Sequence, residues 1–404
     1  MTTSRQRLRW WTLGPIALVA GLATVSWGAG RPADFGHDEL PSIENGLHLL
    51  VGDGLHLSVG RRLFEKETFG GNGRTCLTCH SRETGTVSPE DARQRFERDQ
   101  NDPLFQGDGS DDGEGNGADR MRTHTTVRVN VPMASNVKLA TDANARTALV
   151  NRGIPTTLNT PALDPILMYD GRHQNLDAQA QSAILDHAGA RRQPAVKEVE
   201  RIAEFERTRQ FFSSTELWNL ALSGKPPLLP AARTESEKRG REFFEDAPLG
   251  KGNFKRGICA ICHSGPMLNE TNEFIPVPPR RRGGRFQSIL VSELNAIGNP
   301  VQDFVFENAD GTTTAVSSPD PGRALITGKA TREDLNAFKI PTLWGVSRTA
   351  PYFHDNSALT MQDALLHYKK FFAIVTDPKV DGDPAIDLTD QDQKDIIAFM
   401  KLLR

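Results

Sequence analysis

Cys76-Leu77-Thr78-Cys79-His80 and Cys259-Ala260-Ile261-Cys262-His263 contain every cysteine of the 404-residue chain. In each stretch two thiols stand three positions apart and a histidine follows at once. That spacing lets both thiols add to the vinyl groups of one haem while the adjacent imidazole reaches the iron from the same side. Cysteine and histidine also hold zinc, and thiols also form disulfides. Zinc, however, gathers four ligands at one place, whereas these two clusters are far apart in the chain. The expectation is two covalently bound c-type haems, attached through Cys76, Cys79, Cys259 and Cys262, with His80 and His263 as iron ligands and no cysteine left for a disulfide.

Around each cluster the chain repeats one plan. Gly60-x-x-x-Phe64 precedes Cys76 as Gly240-x-x-x-Phe244 precedes Cys259, and Thr234-x-x-Glu237 supplies a capping box for the second of these helices. A glycine one turn from an aromatic lets another backbone approach closely. Downstream, Ile154-Pro155-Thr156 then Tyr169-Asp170-Gly171 are matched by Ile340-Pro341-Thr342 then His354-Asp355-Asn356. Each half closes with an amphipathic helix, marked by Val199, Ile202 and Phe205 in one and Ile396, Ile397, Phe399, Met400 and Leu403 in the other. The sequence thus predicts a duplicated, all-α architecture of two haem domains with long irregular loops, which 35 glycines and 25 prolines also favour. Its divisions are a signal peptide over 1–30, an N-terminal domain over 31–228 with an inserted loop over about 88–150, and a C-terminal domain over 229–404. The linker falls in SGKPPLLPAA, 223–232.

With 48 basic and 51 acidic residues and no dense Lys/Arg run, the chain has no electrostatic footprint for nucleic acid. The first residues, MTTSRQRLRW, are basic and lead into the apolar run WTLGPIALVAGLATVSW and the small residues Gly28, Ala29 and Gly30. That is the pattern of a secretory signal, which predicts a periplasmic protein that meets the membrane only if the segment stays uncleaved.

KIPTLWGVSRTAPYFHDNSALTMQDALLHY and GIPTTLNTPALDPILMYDGRHQNLDAQA, together with the two haem clusters, resemble the bacterial dihaem cytochrome c peroxidase and MauG superfamily. The resemblance spans most of residues 45–404 and implies two cytochrome c-like domains. The insertion NDPLFQGDGSDDGEGNGADR resembles the MauG-like branch that includes the MbnH proteins.

The resemblance implies that the second haem takes a further ligand from the helix after the PYFH segment, Met in the peroxidases and Tyr in MauG. Tyr368 stands there, with Met361 as its rival, although Met361 matches Leu176 in the repeat. A phenol oxygen favours ferric and higher oxidation states, whereas a thioether favours ferrous iron. The first haem becomes the peroxide site, where a distal acid/base must move a proton between the oxygens. Gln179 matches the family's Gln, Gly189 stands where the family has Glu, and His187, with Asp186 behind it, is the substitute. His187 is also open to reading as a propionate contact or an iron ligand. His124 is a second candidate resting-state ligand, set in a segment that reads as an exposed strand. Tyr169 replaces the Trp that the family has between its haems, and Trp344 and Trp218 are further candidates for carrying oxidising equivalents, beside an ordinary packing role.

Two places are candidates for calcium. Asp108, Ser110, Asp112 and Asp119 follow a calcium-loop spacing, with an ordinary solvated acidic loop as the other reading. The family also binds calcium between its haems through an Asn side chain and main-chain oxygens; Thr349 and Pro351 match, but Gly153 replaces that Asn. The function expected is oxidation of a protein partner by hydrogen peroxide, passing through Tyr169 to the second haem. The alternatives are peroxide reduction with electrons from a small cytochrome, or electron carriage without catalysis.

Overall fold

The repeat is visible first in its helices. The computed structural model describes residues 54–245, 255–275, 281–376 and 386–404. In the first half, α1 (Gly54–Lys66), α2 (Leu176–Asp186) and α3 (Val196–Glu206) surround the first cysteine cluster; in the second, α4 (Glu235–Glu242), α5 (Met361–Val375) and α6 (Asp390–Met400) surround the other. The predicted capping box forms: Thr234 Oγ1 accepts from Glu237 N–H, and Glu237 accepts in return from Thr234 N–H at 2.8 Å. α2 and α5 begin at matching residues, after the N-caps Asn175 and Thr360, so Met361 does occupy the place of Leu176.

The two glycines do what the repeat predicts. A Cβ on Gly60 would lie 2.2 Å from Arg201 O, and one on Gly240 would lie 1.9 Å from Asp395 O. α1 therefore crosses α3 backbone to backbone, and α4 crosses α6 in the same way. Val199, Ile202 and Phe205 face one core with Leu63, Phe64 and Phe211, and Ile396, Phe399, Met400 and Leu403 face the other with Phe244 and Trp344.

The expectation of an all-α chain is overturned by the seven strands, in three small sheets, among the described residues. β1 (Thr126–Pro132) pairs antiparallel with β3 (Thr147–Gly153), Thr126 opposite Gly153. β2 (Val137–Leu139) pairs with β5 (Gln302–Glu307), which pairs with β6 (Thr313–Ser318), and β4 (Phe286–Gln287) with β7 (Phe338–Lys339). The physical reason lies in the residues. Val127, Val129 and Val131 alternate inward along β1, as Phe304 and Phe306 do along β5, a period that only a strand can place on one face.

The 88–150 segment is therefore an ordered layer rather than a loop. It adds α-helix at Pro89–Arg98 and strands whose core includes Phe304, Phe306 and Leu325 of the second half. Residues 224–233, which overlap the expected linker, have no regular structure. The halves nonetheless share a sheet, and the described residues belong to one compact unit. The N-terminal leader lies outside the described residues, and among those described no helix is long and apolar enough to cross a membrane.

Candidate active site

Each cysteine cluster is a tight turn that ends on its histidine. Cys76–Cys79 form one helical turn, and His80 N–H donates to Cys76 O at 2.9 Å; His263 N–H donates to Cys259 O at 2.9 Å. The imidazoles are oriented alike. His80 Nδ1 lies 2.8 Å from Gly85 O and His263 Nδ1 lies 2.8 Å from Leu268 O, five residues on in both cases. A carbonyl partner requires the proton on Nδ1, which leaves the Nε2 lone pair free for a metal. Burial holds both rings neutral, pulling His263 down to about 4 and lowering His80.

The repeat extends one layer further. Thr156 Oγ1 donates to Thr84 O at 2.6 Å, and Thr342 Oγ1 to Met267 O at 2.7 Å, so each Ile-Pro-Thr segment pins the loop behind its histidine.

These residues fit haem. All four thiols are free, and burial pushes Cys259 and Cys262 up to about 12 and raises Cys76 and Cys79. Cysteines and histidines are only half-covered, yet desolvation is the largest influence on each, as expected of groups lining a recess rather than the outer surface. The walls are apolar: Phe64, Phe69 and Phe205 pack near Cys76, and Tyr352, Met361, Tyr368 and Phe372 share a cluster with Cys259 and Cys262. Among the described residues no three or more His, Cys, Asp or Glu side chains converge to hold a metal ion.

Tyr368 sits on α5 with its ring 6.2 Å from Phe372 and 6.2 Å from Phe353, centroid to centroid. Burial raises its hydroxyl well above the usual phenol range, and the neighbouring thiols of Cys262 and Cys259 add to this. Position and chemistry are both those of a group facing the second cluster.

At the first cluster, His187 caps α2. Its carbonyl accepts from Asn72 Nδ2 at 2.9 Å and from Arg74 Nη1 at 3.4 Å. Burial lowers its imidazole to about 4; Asp186 opposes this, and Arg74, Arg172 and His80 reinforce it. His80 is near enough for its charge to act on the His187 imidazole. The Asp186 carboxylate accepts from Ser182 Oγ at 3.0 Å, and its charge is the largest that acts on His187. Gln179 lies about two turns earlier on the same helix. His124 is not in the strand: it precedes β1, half-buried, with Nδ1 2.9 Å from Thr123 Oγ1 and close enough to Asp355 to feel its charge.

The halves meet through a reciprocal exchange. Gly153 N–H donates to His354 O and Lys339 N–H donates to Tyr169 O, both at 2.7 Å. In each case the residue before Ile-Pro-Thr of one half holds the aromatic of the other. Tyr169 and His354, equivalent in the repeat, stand edge to face with centroids 6.5 Å apart, and His354 stacks on Phe338 at 3.5 Å. Trp344 is buried, donates from Nε1 to Pro266 O at 3.0 Å and accepts from Asn159 at its carbonyl; Trp218 is half-buried against Phe212.

Sequence reasoning missed the charges around this junction. Buried Arg152 donates to Asp170 at 2.6 Å and to both oxygens of Asp320 at 2.7 and 2.9 Å, and Arg172 also binds Asp170. Arg74, 6% exposed, donates to Pro103, Leu104 and Gln106 carbonyls and fastens the inserted layer to the first site. Asp170 in the repeat motif was the available signal; Arg152 and Asp320 sit in segments without a motif.

Neither calcium expectation gains a converged ligand set. Asp108 accepts from Ser110 and Arg128 N–H groups, Asp112 accepts from the N–H groups of Glu114, Gly115 and Asn116, and Asp119 pairs with Arg122. Between the halves, a Cβ on Gly153 would lie 2.1 Å from Asn356 Oδ1, so no side-chain ligand fits at that position.

Residues 56–219 match the family described as di-haem cytochrome c peroxidase. That match lies in the half that holds the first cysteine cluster. The cytochrome c551 peroxidase of Nitrosomonas europaea is similar to this chain, 25% identical over 222 residues, 52% of this chain and 56% of that protein. The chain thus matches little more than half the length of that relative. Two solved structures are similar over 87% of the chain: a MauG-like protein associated with microbial copper homeostasis (TM-score 0.47, 19% identity, 88% of that chain) and the diheme peroxidase BthA from Burkholderia thailandensis E264 (TM-score 0.45, 16% identity, 86% of that chain).

Proposed function

We propose that this chain belongs to the di-haem cytochrome c peroxidase and MauG superfamily and is an exported dihaem enzyme that uses hydrogen peroxide to oxidise a protein partner, in the manner of MauG. Haem, bound at the two cysteine clusters, supplies two-electron reduction of peroxide and the storage of oxidising equivalents. His80 and His263 each offer Nε2 to an iron, held by the carbonyls of Gly85 and Leu268. His187, neutral near pH 7, accepts a proton from peroxide and returns it to the departing oxygen, which a group already charged could not do. Tyr169 with His354 bridges the halves, and Tyr368 would help His263 to hold the second haem.

The observation that carries this reading is Tyr368 beside Cys259 and Cys262, because a phenol oxygen there favours the higher oxidation states over ferrous iron. The test is Tyr368→Met in the haem-loaded protein. The second haem's spectrum should change and its potential rise, and stoichiometric peroxide should alter the wild-type spectrum. An unchanged second haem refutes the ligand, and a peroxide-silent wild type with no high-spin haem refutes enzymatic activity. The similarity to a cytochrome c551 peroxidase favours a second reading, peroxide reduction with electrons from a small cytochrome. Rapid turnover with a reduced cytochrome would establish that reading instead.

A further inference from the structure

Asn356 is 2% exposed and lies at the junction of the halves, between the buried Asp355 and the repeat's close approach at Gly153. Its Nδ2 donates to His124 O at 2.8 Å, Thr125 O at 3.1 Å and Thr125 Oγ1 at 3.2 Å. Three oxygens from the first half thus converge on one nitrogen from the second. Such a cage of carbonyl and hydroxyl oxygens is the donor set a hard cation takes. Here an amide NH2 sits at its centre, with two protons serving three acceptors.

The amide also occupies the space above Gly153. A Cβ there would lie 2.1 Å from Oδ1, 2.4 Å from Cγ and 2.7 Å from Nδ2, so residue 153 cannot carry a ligand while Asn356 keeps this position. The backbone supports the arrangement: φ is 57° at Asn356 and 50° at Thr125, and Thr125 is fully buried. Left-handed backbone suits asparagine but strains threonine, so Thr125 turns its oxygens inward against its own preference.

We propose that the Asn356 amide takes the place of a calcium ion between the two haem-bearing halves, so that this chain couples them without a metal. Replacing the amide by carboxylate tests it directly. Asn356→Asp keeps the shape, removes both donors and places a negative charge facing three oxygens, beside Asp355. That charge is tolerable only if a cation enters.

Thermal unfolding of the full haem-loaded protein is followed against free calcium buffered with EGTA. The expected result is a midpoint independent of calcium in wild type and rising with the logarithm of calcium in Asn356→Asp. Equal responses from both proteins, or none from either, overturn the proposal. Should the variant not fold, wild type decides alone. With Asp112→Asn removing the acidic loop from the reading, both haem potentials should be the same in EGTA and in calcium, and a calcium-dependent shift in either overturns the proposal.

Discussion

Gly240→Ala sets two effects of known sign against each other. In an exposed helix interior, alanine in place of glycine stabilises by about 1 kcal/mol, because glycine loses more backbone freedom on folding. At Gly240 the new methyl would lie 1.9 Å from Asp395 O, 2.5 Å from Asp395 C and 3.0 Å from Phe399 Cβ. A relaxed carbon–oxygen contact needs about 3.3 Å, so α4 and α6 would have to part by more than an ångström. The obstacle is backbone, which no rotamer change can clear, and overpacking of this kind costs roughly 1–3 kcal/mol or more. The clash exceeds the propensity gain, and the variant should be less stable.

The damage should also be local. The end of α4 holds the second cluster directly, since Phe243 O accepts from Cys259 N–H at 2.9 Å and Phe244 packs on Phe399 at 5.3 Å. Thermal unfolding by circular dichroism, with haem content from the pyridine haemochrome, should show a lower midpoint and under-loading of the second site. Gly60→Ala, 2.2 Å from Arg201 O, should do the same to the first. A raised midpoint with both haems present would show that the helices do not cross at these glycines.

Glu206, 5% exposed near Cys76, is pushed up to about 8 by burial, against a modest opposing pull from Arg207. Its folded value lies above its unfolded one, so the fold loses stability as pH rises from about 4.5 through 8, by at most roughly 4–5 kcal/mol. Glu206→Gln should flatten that loss in unfolding curves between pH 5 and 9, and a parallel curve for the variant would show that the carboxyl does not titrate there. Arg152→Met leaves Asp170 with Arg172 alone and Asp320 without its bidentate partner. The expected cost is about 3–5 kcal/mol in chemical denaturation, and a neutral result would mean the buried carboxylates find other partners. His187→Leu should slow reaction with peroxide by about a hundredfold or more in stopped flow while leaving His80 coordination intact, and an unchanged rate would remove His187 from proton transfer.

The repeat was legible because its signals are local and chemical. Cys-x-x-Cys-His, a glycine one turn before phenylalanine, and Ile-Pro-Thr each report contacts within a few residues of themselves, and each recurs in the structure with matching bonds. The strands were not legible as a group. Val127, Val129 and Val131 alternate clearly, but β4 and β7 have only two residues each, and β2 is three residues long and finds its partner in the other half. Length and glycine content suggested loops, whereas pairing across the halves gave these segments an ordered core. The same distance in sequence hid Arg152 with Asp320 and Asn356 with Thr125, because a single buried charge or amide has no period.

The junction explains why a duplicated chain need not act symmetrically. Backbone exchange at Gly153 and Lys339 is equivalent in both directions, yet the side chains at those positions differ completely. Gly153 leaves room for the Asn356 amide, whereas Lys339 is almost wholly enclosed and donates to Asp164 at 2.8 Å and Ile166 O at 2.7 Å. Tyr169 and His354 differ in the same way, one able to release an electron with its proton and the other a neutral ring stacked on Phe338. The fold therefore supplies two like frames, and the substitutions facing the junction give them opposite chemistry. If Tyr169 alone carries charge between the halves, Tyr169→Phe should slow electron transfer between the haems in pulse radiolysis, while His354→Gln should alter it far less; the reverse order would assign the relay to the second half.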